Sequence, residues 1–501
     1  MIDRLRSLVR HLVPSGGTAQ RVTKGTVWVM SQNVFGRLLQ LGMLAVLARL
    51  IGPSEIGLVG IALLVLSATK KFTEIGLEAA IIQQEADDVD HYLNTTWVLQ
   101  VLRGVLIAAV LYVAAPFVAD VFDEARATVL VRAIGLSPLL FGLTNPGIVY
   151  FQKNLEFHKD FVYKLSGEVG MVVIAVAYAL FVEQTAWAYV VGYVAADAIR
   201  LVISYLIHPF RPGVEVDRDA ARDLIGYGKW ITGSSVLYFL YSQGDDAFVA
   251  AFIGPAALAF YQYAYRFSNA PATELTQVVS SVLFPMFSKL QSDMDLLKET
   301  FLKSLRLTTF VALPMSCGIA IVAPSFVVAF LGEQWVEMVV PMQILTVYGL
   351  FRSLGKTWGP VWKATGRPDY HTKLSLVRVT LLAILIYPLT DAYGITGTAL
   401  AVTSISLFPM IPLELYLIKN SIDVRYREIA SEISYPLVAS GLMSAGLVVF
   451  NTSVSLPPLL EFLALSVLGV ALYGVSVLVL ELTFDWGIRG NLESIAANLS
   501  D

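Results

Sequence analysis

Several lysine and arginine side chains lie inside long apolar segments of the chain, where an ionised group is costly. At the centre of a membrane helix a charge costs about 2.5–3.5 kcal/mol on insertion scales, so such groups face one another or a wet cavity. Arg37 lies about 16 Å from the start of its apolar segment, at 1.5 Å per helical residue. Cations at this depth favour an anionic ligand, and a phosphate or pyrophosphate group can contact several of them at once. The residues predicted to bind it are Arg37, Lys70, Lys71, Arg266 and Arg352.

Acidic residues accompany these cations at helical spacing. Lys70 and Glu74 are four residues apart, which places them on one helix face and predicts an ion pair between them. Lys71 then has no obvious local partner. Asp197 and Arg200, three residues apart in another apolar segment, form a second predicted pair, for which a structural role is the simpler interpretation.

Two adjacent carboxylates, Asp245 and Asp246, interrupt a further apolar segment. Like charges this close repel each other, and binding a proton or a sodium ion relieves the repulsion. The pair is therefore a candidate for ion coupling by H⁺ or Na⁺. The alternative is a helix bend that faces water near the outer surface.

No motif predicts catalysis. The segment from Gly349 to Thr357 has five residues between its glycines, whereas a phosphate-binding loop has four. The pairs Asp217/Asp219 and Asp293/Asp295 lie in charged connections, where solvated acids are the default. One cysteine and five scattered histidines exclude a multi-thiolate or helical histidine metal site. We expect no catalytic residues, no metal and no cofactor apart from the coupling ion, and hence no enzymatic activity.

Composition identifies the elements that must position these charges. Of 501 residues, 56% are hydrophobic and only 15% are charged, against roughly 25% in an average soluble domain. This predicts an all-α, multi-pass membrane protein, and the net charge of −4 argues against a nucleic-acid partner. About 20 apolar residues span a membrane. Fourteen spans are predicted, at residues 26–50, 56–82, 93–119, 127–150, 162–182, 186–208, 229–253, 257–285, 304–330, 337–362, 374–390, 394–417, 430–450 and 459–482.

The connections between spans predict the orientation. Nearly all their lysines and arginines fall in alternate connections, on the side of the N-terminal segment, and Arg126 is the exception. Because positive loops stay on the cytoplasmic side, both termini are predicted to be cytoplasmic and the protein to lie in the cell membrane.

A weak internal repeat suggests two lobes. Residues 45–53 and 247–255 both end in Ile-Gly-Pro after an apolar stretch, six spans apart. An even number of spans preserves orientation, which predicts two parallel six-helix lobes around a central cavity. The predicted divisions are 1–25, a cytoplasmic segment that is either an interfacial helix or a solvated tail, then 26–225 and 226–420 for the lobes, and 421–501 for two further spans and a cytoplasmic tail.

Loose motifs recur in order along nearly the whole chain. They include residues 47–57 (Leu-Ala-Arg-Leu-Ile-Gly-Pro-Ser-Glu-Ile-Gly), 74–83, 246–264, 283–285, 331–335, 365–368 and 393–400. Together they resemble the polysaccharide flippases of the multidrug/oligosaccharidyl-lipid/polysaccharide exporter superfamily. The resemblance implies a two-lobe, fourteen-helix fold that moves a polyprenyl- or dolichyl-linked oligosaccharide outward by alternating access. In related lipid-linked-precursor flippases, arginines on spans 1, 2 and 8 bind the phosphates. This points to Arg37, to Lys70 or Lys71, and to Arg266, although the second span carries lysines here.

The resulting hypothesis is a lipid-linked oligosaccharide flippase for surface glycan biosynthesis. Its expected partners are the lipid-linked substrate, membrane lipids, and glycan polymerase or glycosyltransferase proteins. A cation-coupled multidrug exporter with the same fold is one alternative, and it would favour acidic cavity residues. A membrane glycosyltransferase or polymerase is the other, and it would need a sizeable catalytic loop.

Overall fold

The computed structural model describes residues 18–74, 90–275, 283–284 and 286–484. Throughout these ranges the regular structure is helical and contains no strand, which confirms the predicted all-α class. Outside them lie residues 1–17, residues 75–82 of the second predicted span, residues 276–282 and 285 of the eighth, and the C-terminal tail from residue 485. The helices are α1 (Thr18–Leu50), α2 (Pro53–Phe72), α3 (Asp90–Val121), α4 (Ala127–Ile134), α5 (Leu136–Gly142), α6 (Val149–Lys153), α7 (Phe157–Phe181), α8 (Ala186–Ile207), α9 (Arg218–Phe252), α10 (Pro255–Ser268), α11 (Met294–Phe326), α12 (Val339–Ala364), α13 (Asp369–Ile405), α14 (Ile411–Ile422), α15 (Tyr426–Ser453) and α16 (Pro458–Phe484).

Many of these helices are long and apolar enough to cross a membrane. Within the described ranges nine pass this test, and a tenth passes if the bent pair 127–142 and 146–153 counts as one span. The predicted total of fourteen stays a prediction. One of the nine, residues 369–422, covers two predicted spans. Gly394 has a φ of +59° inside it, and a Cβ at Gly397 would overlap the carbonyl of Leu389, so the chain folds back there.

The chain divides into two compact units, residues 1–259 and 260–501. The first unit ends later than the predicted lobe boundary at residue 225, because α9 packs on α2 and α3. The predicted repeat has a local counterpart: α2 begins at Pro53 and α10 begins at Pro255, each directly after the Ile-Gly step. The backbone at the two glycines differs, since φ is −68° at Gly52 and +119° at Gly254.

In the first unit, α1 and α7 run parallel. The ring of Trp28 lies 5.0 Å from that of Phe161, tilted by 60°, and further along the same face Gly36 lies against Glu168. Both contacts have nearly the same sequence offset, which only parallel helices produce. Glycine lets the two backbones approach closely, as is common between membrane helices.

Helices α7 and α8 form a close antiparallel pair. Gly167 lies against the side chain of Arg200, and Gly192 lies against Ala175, where an added Cβ would be 2.7 Å from the alanine Cβ. The small residues bring the two helices together. They also bring Arg200 directly over the backbone of α7.

The carboxylate of Glu55 links three helices at one end of this unit. Glu55, in the first turn of α2, accepts two hydrogen bonds from Arg126 at 2.5 and 2.7 Å and one from the backbone N–H of Ala186 at 3.0 Å. The hydrogen bond to Glu55 raises the pKa of Arg126 above its usual value. Three elements, α2, α4 and α8, are thereby fixed at one end.

In the second unit, aromatic and aliphatic side chains of α11, α12 and α14 form one buried cluster that includes Phe301, Trp358 and Ile418. Two ion pairs dock α15 on α11. Lys298 lies 2.8 Å from Glu428, and Arg306 pairs with Glu432 one turn further along. These pairs attach the penultimate long helix to the body of the unit.

Candidate functional site

The prediction that Lys70 forms an ion pair with Glu74 is wrong. Lys71 forms the pair, with its Nζ 2.7 Å from Oε2 of Glu74. The reason is that α2 ends at Phe72, well before the end predicted for this span. Thr73 leaves helical geometry at φ −108° and ψ 11°, so Glu74 no longer lies one turn above Lys70. Ser235 of α9 also donates to Glu74, at 3.3 Å.

Arg103 of α3 caps the C-terminal end of α2. Its Nη2 donates to the carbonyl oxygen of Lys70 at 2.8 Å, and its Nε donates to the hydroxyl of Thr73 at 3.3 Å. The last carbonyls of a helix have no partner within the helix, and no bulk water is present in a membrane core to supply one. The cation also stabilises the negative end of the helix dipole. Arg103 therefore fixes the segment that carries both lysines.

Lys70 points toward α8, whereas Lys71 pairs with Glu74. Its Nζ lies 5.7 Å from the centroid of the Tyr193 ring, and it interacts electrostatically with Asp197, Arg103 and Arg200. Asp197 is buried, accepts a short hydrogen bond from Ser137, and pairs with Arg200 at 3.0 Å. The Asp197–Arg200 pair is thus present as predicted, and Lys70 is its neighbour.

These residues form what we term the inner cluster of the first unit. It contains four cations and two carboxylates: Lys70, Lys71, Arg103, Arg200, Glu74 and Asp197. The excess of positive charge fits an anionic ligand. Lys71 remains partly accessible, with 38% of its side chain exposed despite the pair with Glu74.

Arg37 lies on α1 of the same unit, half-buried, where its Nη1 donates to Gln40 at 3.3 Å. The residue before it, Gly36, touches Glu168 of α7. Arg37 is thus carried by the helix that packs beside the one hosting Glu168.

Arg352 anchors a separate group in the second unit, which we term the arginine–tyrosine group. Its Nη1 donates to the hydroxyl of Tyr265 at 2.7 Å and to Oδ1 of Asn269 at 3.2 Å. The guanidinium carbon lies 5.8 and 5.9 Å from the ring centroids of Tyr265 and Tyr348. Arg266 follows Tyr265 in the last turn of α10 and is half-buried. The structure therefore places the two predicted arginines of this unit on neighbouring helices.

The two predicted coupling carboxylates differ in burial. Asp245 is 5% exposed and Asp246 is half-buried, both on α9 of the first unit. Their role in ion coupling stays a prediction. Over the ranges that the structure describes, no three His, Cys, Asp or Glu residues are grouped so as to hold a metal ion.

The sequence did not identify three residues of these two groups as candidate site residues. Arg103 carried the same signal as the selected arginines, a charge inside an apolar segment, but its role as a cap depends on where α2 ends. Tyr265 and Asn269 carried no signal, because a tyrosine and an asparagine four residues apart are ordinary in a helix. Only the packing of α12 against this segment makes them partners of Arg352.

Comparisons with known proteins agree with this architecture. Residues 46–340, more than half of the chain, match the family described as polysaccharide biosynthesis protein. The lipopolysaccharide biosynthesis protein WzxC of Escherichia coli K12 is 24% identical, over 84% of this chain and 86% of its own length. Among solved structures, the lipid II flippase MurJ in an inward closed conformation matches with a TM-score of 0.71 and 15% identity, over 91% of this chain and 99% of that chain. An inward-facing multidrug resistance MATE transporter of the MOP superfamily matches with a TM-score of 0.60 and 15% identity, over 77% and 95%.

Proposed function

The chain belongs to the polysaccharide biosynthesis protein family, and on this premise we propose that it is a flippase for a lipid-linked oligosaccharide. The substrate is an oligosaccharide on a polyprenyl or dolichyl phosphate or pyrophosphate. The protein moves it from the inner to the outer leaflet of the cell membrane without changing its covalent structure. The name of the relative WzxC refers to lipopolysaccharide biosynthesis, which is consistent with a surface glycan as cargo.

The observation that carries this proposal is the charge balance of the inner cluster. Four cations and two carboxylates meet at membrane depth where α2 ends. An excess of positive charge at this depth is costly, and a phosphate or pyrophosphate supplies negative charge together with several acceptor oxygens. A cationic drug would be repelled by the same residues, which disfavours the exporter alternative.

In the second unit, Arg352 provides a further position for the phosphate. The planar guanidinium suits recognition of phosphate oxygens, and it lies beside two aromatic rings. Arg266 on α10 and Arg37 on α1 complete the proposed set of phosphate ligands.

We further propose that Asp245 and Asp246 couple transport to H⁺ or Na⁺, and that both termini are cytoplasmic. Glycan polymerase and glycosyltransferase proteins are the proposed protein partners, because they would produce and consume the flipped intermediate.

Binding by purified protein in lipid nanodiscs tests the proposal. A polyprenyl-pyrophosphate oligosaccharide is compared with the same glycan on neutral polyprenol and with a lipophilic cation. We expect binding of the pyrophosphate form only, weakened by added salt. Equal binding of the neutral lipid, or preferential binding of the cation, would overturn it.

A further inference from the structure

Glu168 is an acidic residue near the middle of a membrane helix. It lies on α7, about 16 Å from the helix start at Phe157. Ionisable residues at such depth are rare and costly, and are therefore functional candidates by default. Neither the phosphate ligands nor the Asp245–Asp246 pair accounts for this one.

One carboxyl oxygen of Glu168 is sealed from solvent. Its Oε2 is buried and has no hydrogen-bond partner within the described part of the chain. The oxygen lies against the backbone of α1 at Gly36, where an added Cβ would overlap it. Buried polar groups are nearly always hydrogen-bonded, so an exception in a native fold requires an explanation. Burying an ionised carboxylate without a donor is particularly costly.

Glu168 interacts electrostatically with Arg200 of the inner cluster. Arg200 and Lys164 act on it electrostatically. Lys164 is 2.7 Å from Asp160 one turn earlier, and Arg200 is 3.0 Å from Asp197. Asp197 in turn acts on Lys70. The other charged and titratable groups on these three helices are Arg21, Lys24, Arg37 and Arg49 on α1, His158, Lys159, Asp160, Tyr163, Lys164 and Tyr178 on α7, and Tyr189, Tyr193, Asp197, Arg200 and Tyr205 on α8.

We propose that Glu168 is a proton-binding site that sets the charge of the inner cluster. When Glu168 is ionised, it shares Arg200 with Asp197 and lowers the net positive charge that a phosphate encounters. When a proton adds to the carboxylate, the charge of this region rises by one. The anionic head group then binds more tightly, and binding of the head group favours uptake of the proton by the same free energy. This inference rests on the proposed function for its ligand, but the proton site itself does not.

The first experiment measures protons directly. Binding of polyprenyl pyrophosphate to nanodisc-embedded protein is followed by calorimetry in two buffers with different ionisation enthalpies, which gives the number of protons taken up. We expect uptake in the parent, and an affinity that falls by up to about tenfold per pH unit as the pH rises. Glu168→Gln should remove both effects and keep the low-pH affinity. Glu183→Gln, an exposed carboxylate just beyond the end of α7, is the matched control and should behave as the parent. Proton uptake unchanged in Glu168→Gln would overturn the proposal.

The second experiment needs neither a substrate nor a variant. Dicyclohexylcarbodiimide, an apolar reagent, adds to protonated carboxyl groups within membranes, and the modified residue is found by peptide mass mapping. We expect Glu168 of the parent protein to be labelled, and labelling to decline as the pH rises. A Glu168 that stays unlabelled at every pH would overturn the proton site. If the parent fails to bind pyrophosphate but Glu168 is labelled, the proposed function fails and the proton site stands.

Discussion

Arg103 and Lys70, which are 33 residues apart, are joined by a 2.8 Å hydrogen bond from a guanidinium Nη2 to a backbone carbonyl oxygen. The bond lies at the end of α2, in the segment that carries Lys70 and Lys71. A side chain of one helix thus contacts the end of another helix and holds the backbone that carries its cations.

Arg103→Ala should weaken binding of a polyprenyl-pyrophosphate ligand by roughly tenfold. Hydrogen bonds to a charged group contribute about 1.5–3 kcal/mol, and without them the two lysines lose their fixed positions. Arg103→Lys should recover part of the affinity, because it restores the charge but not the fork of donors. Binding and thermal stability are measured on the same samples.

Arg211 is a matched control for Arg103, because it donates to the carbonyls of Tyr205 and His208 at the end of α8. Arg211→Ala should change stability alone, and an equal loss of affinity there would refute a positioning role for Arg103.

Arg37→Ala and Arg266→Ala should each lower the affinity for the same ligand by roughly ten- to a hundredfold, since each removes one charge-assisted contact. Folding is scored by thermal melting of the purified variants. Arg132→Ala is the control: this half-buried arginine lies over the ring of Tyr112 at 4.5 Å, outside the proposed site. Well-folded Arg37 and Arg266 variants that bind as tightly as the parent would remove both from the phosphate site.

Tyr265→Phe should lower the affinity several-fold, less than Arg352→Ala does. The change removes one hydroxyl acceptor of the guanidinium and keeps the aromatic ring beside it, so Arg352 keeps its charge and its contact with Asn269. The double variant should lose no more than Arg352→Ala alone, because Tyr265 acts through that arginine. Tyr473→Phe also removes a buried hydroxyl contact, to the Phe310 carbonyl at 2.7 Å, and should leave binding unchanged. Additive losses in the double variant would show that Tyr265 acts independently.

Asp245→Asn combined with Asp246→Asn should slow transport and leave substrate binding largely intact. The two neutral side chains cannot take up a coupling ion, whereas neither belongs to the proposed phosphate ligands. Transport into proteoliposomes under an imposed ion gradient is compared with equilibrium binding. Asp120→Asn, a change at an exposed position in the last turn of α3, serves as the control. A double variant that transports at the parent rate would restrict these carboxylates to a structural role.

Single cysteines test the orientation. In a background with Cys317, the one native cysteine, changed to serine, cysteines at Ser54 and Ser455 should react with an impermeant reagent added to intact cells. A cysteine at Ser292 should react only after permeabilisation. All three positions are exposed. The reverse pattern would invert the topology and the direction of transport.

The helical class and the membrane location follow from the sequence alone, because they depend on local properties. Apolar segments of about 20 residues satisfy their own backbone hydrogen bonds only as helices in a membrane. Position within an apolar segment likewise identified the costly intramembrane charges, which are Arg37, Lys70, Lys71, Arg266 and Arg352. The three-residue spacing of Asp197 and Arg200 predicted their ion pair.

The partners of most of these charges were decided by tertiary structure. Spacing predicted Lys70–Glu74, but α2 ends at Phe72, where Arg103 from another helix binds the carbonyl oxygen of Lys70, and Glu74 pairs with Lys71. Tyr265 and Asn269 became ligands of Arg352 only when α12 packed against them. One oxygen of Glu168 is buried against Gly36 of α1, a contact between residues 132 positions apart. Hydrophobicity and helical period are properties of neighbouring residues, whereas the end of a helix inside a membrane and the partner of a buried charge depend on contacts between residues far apart in the chain.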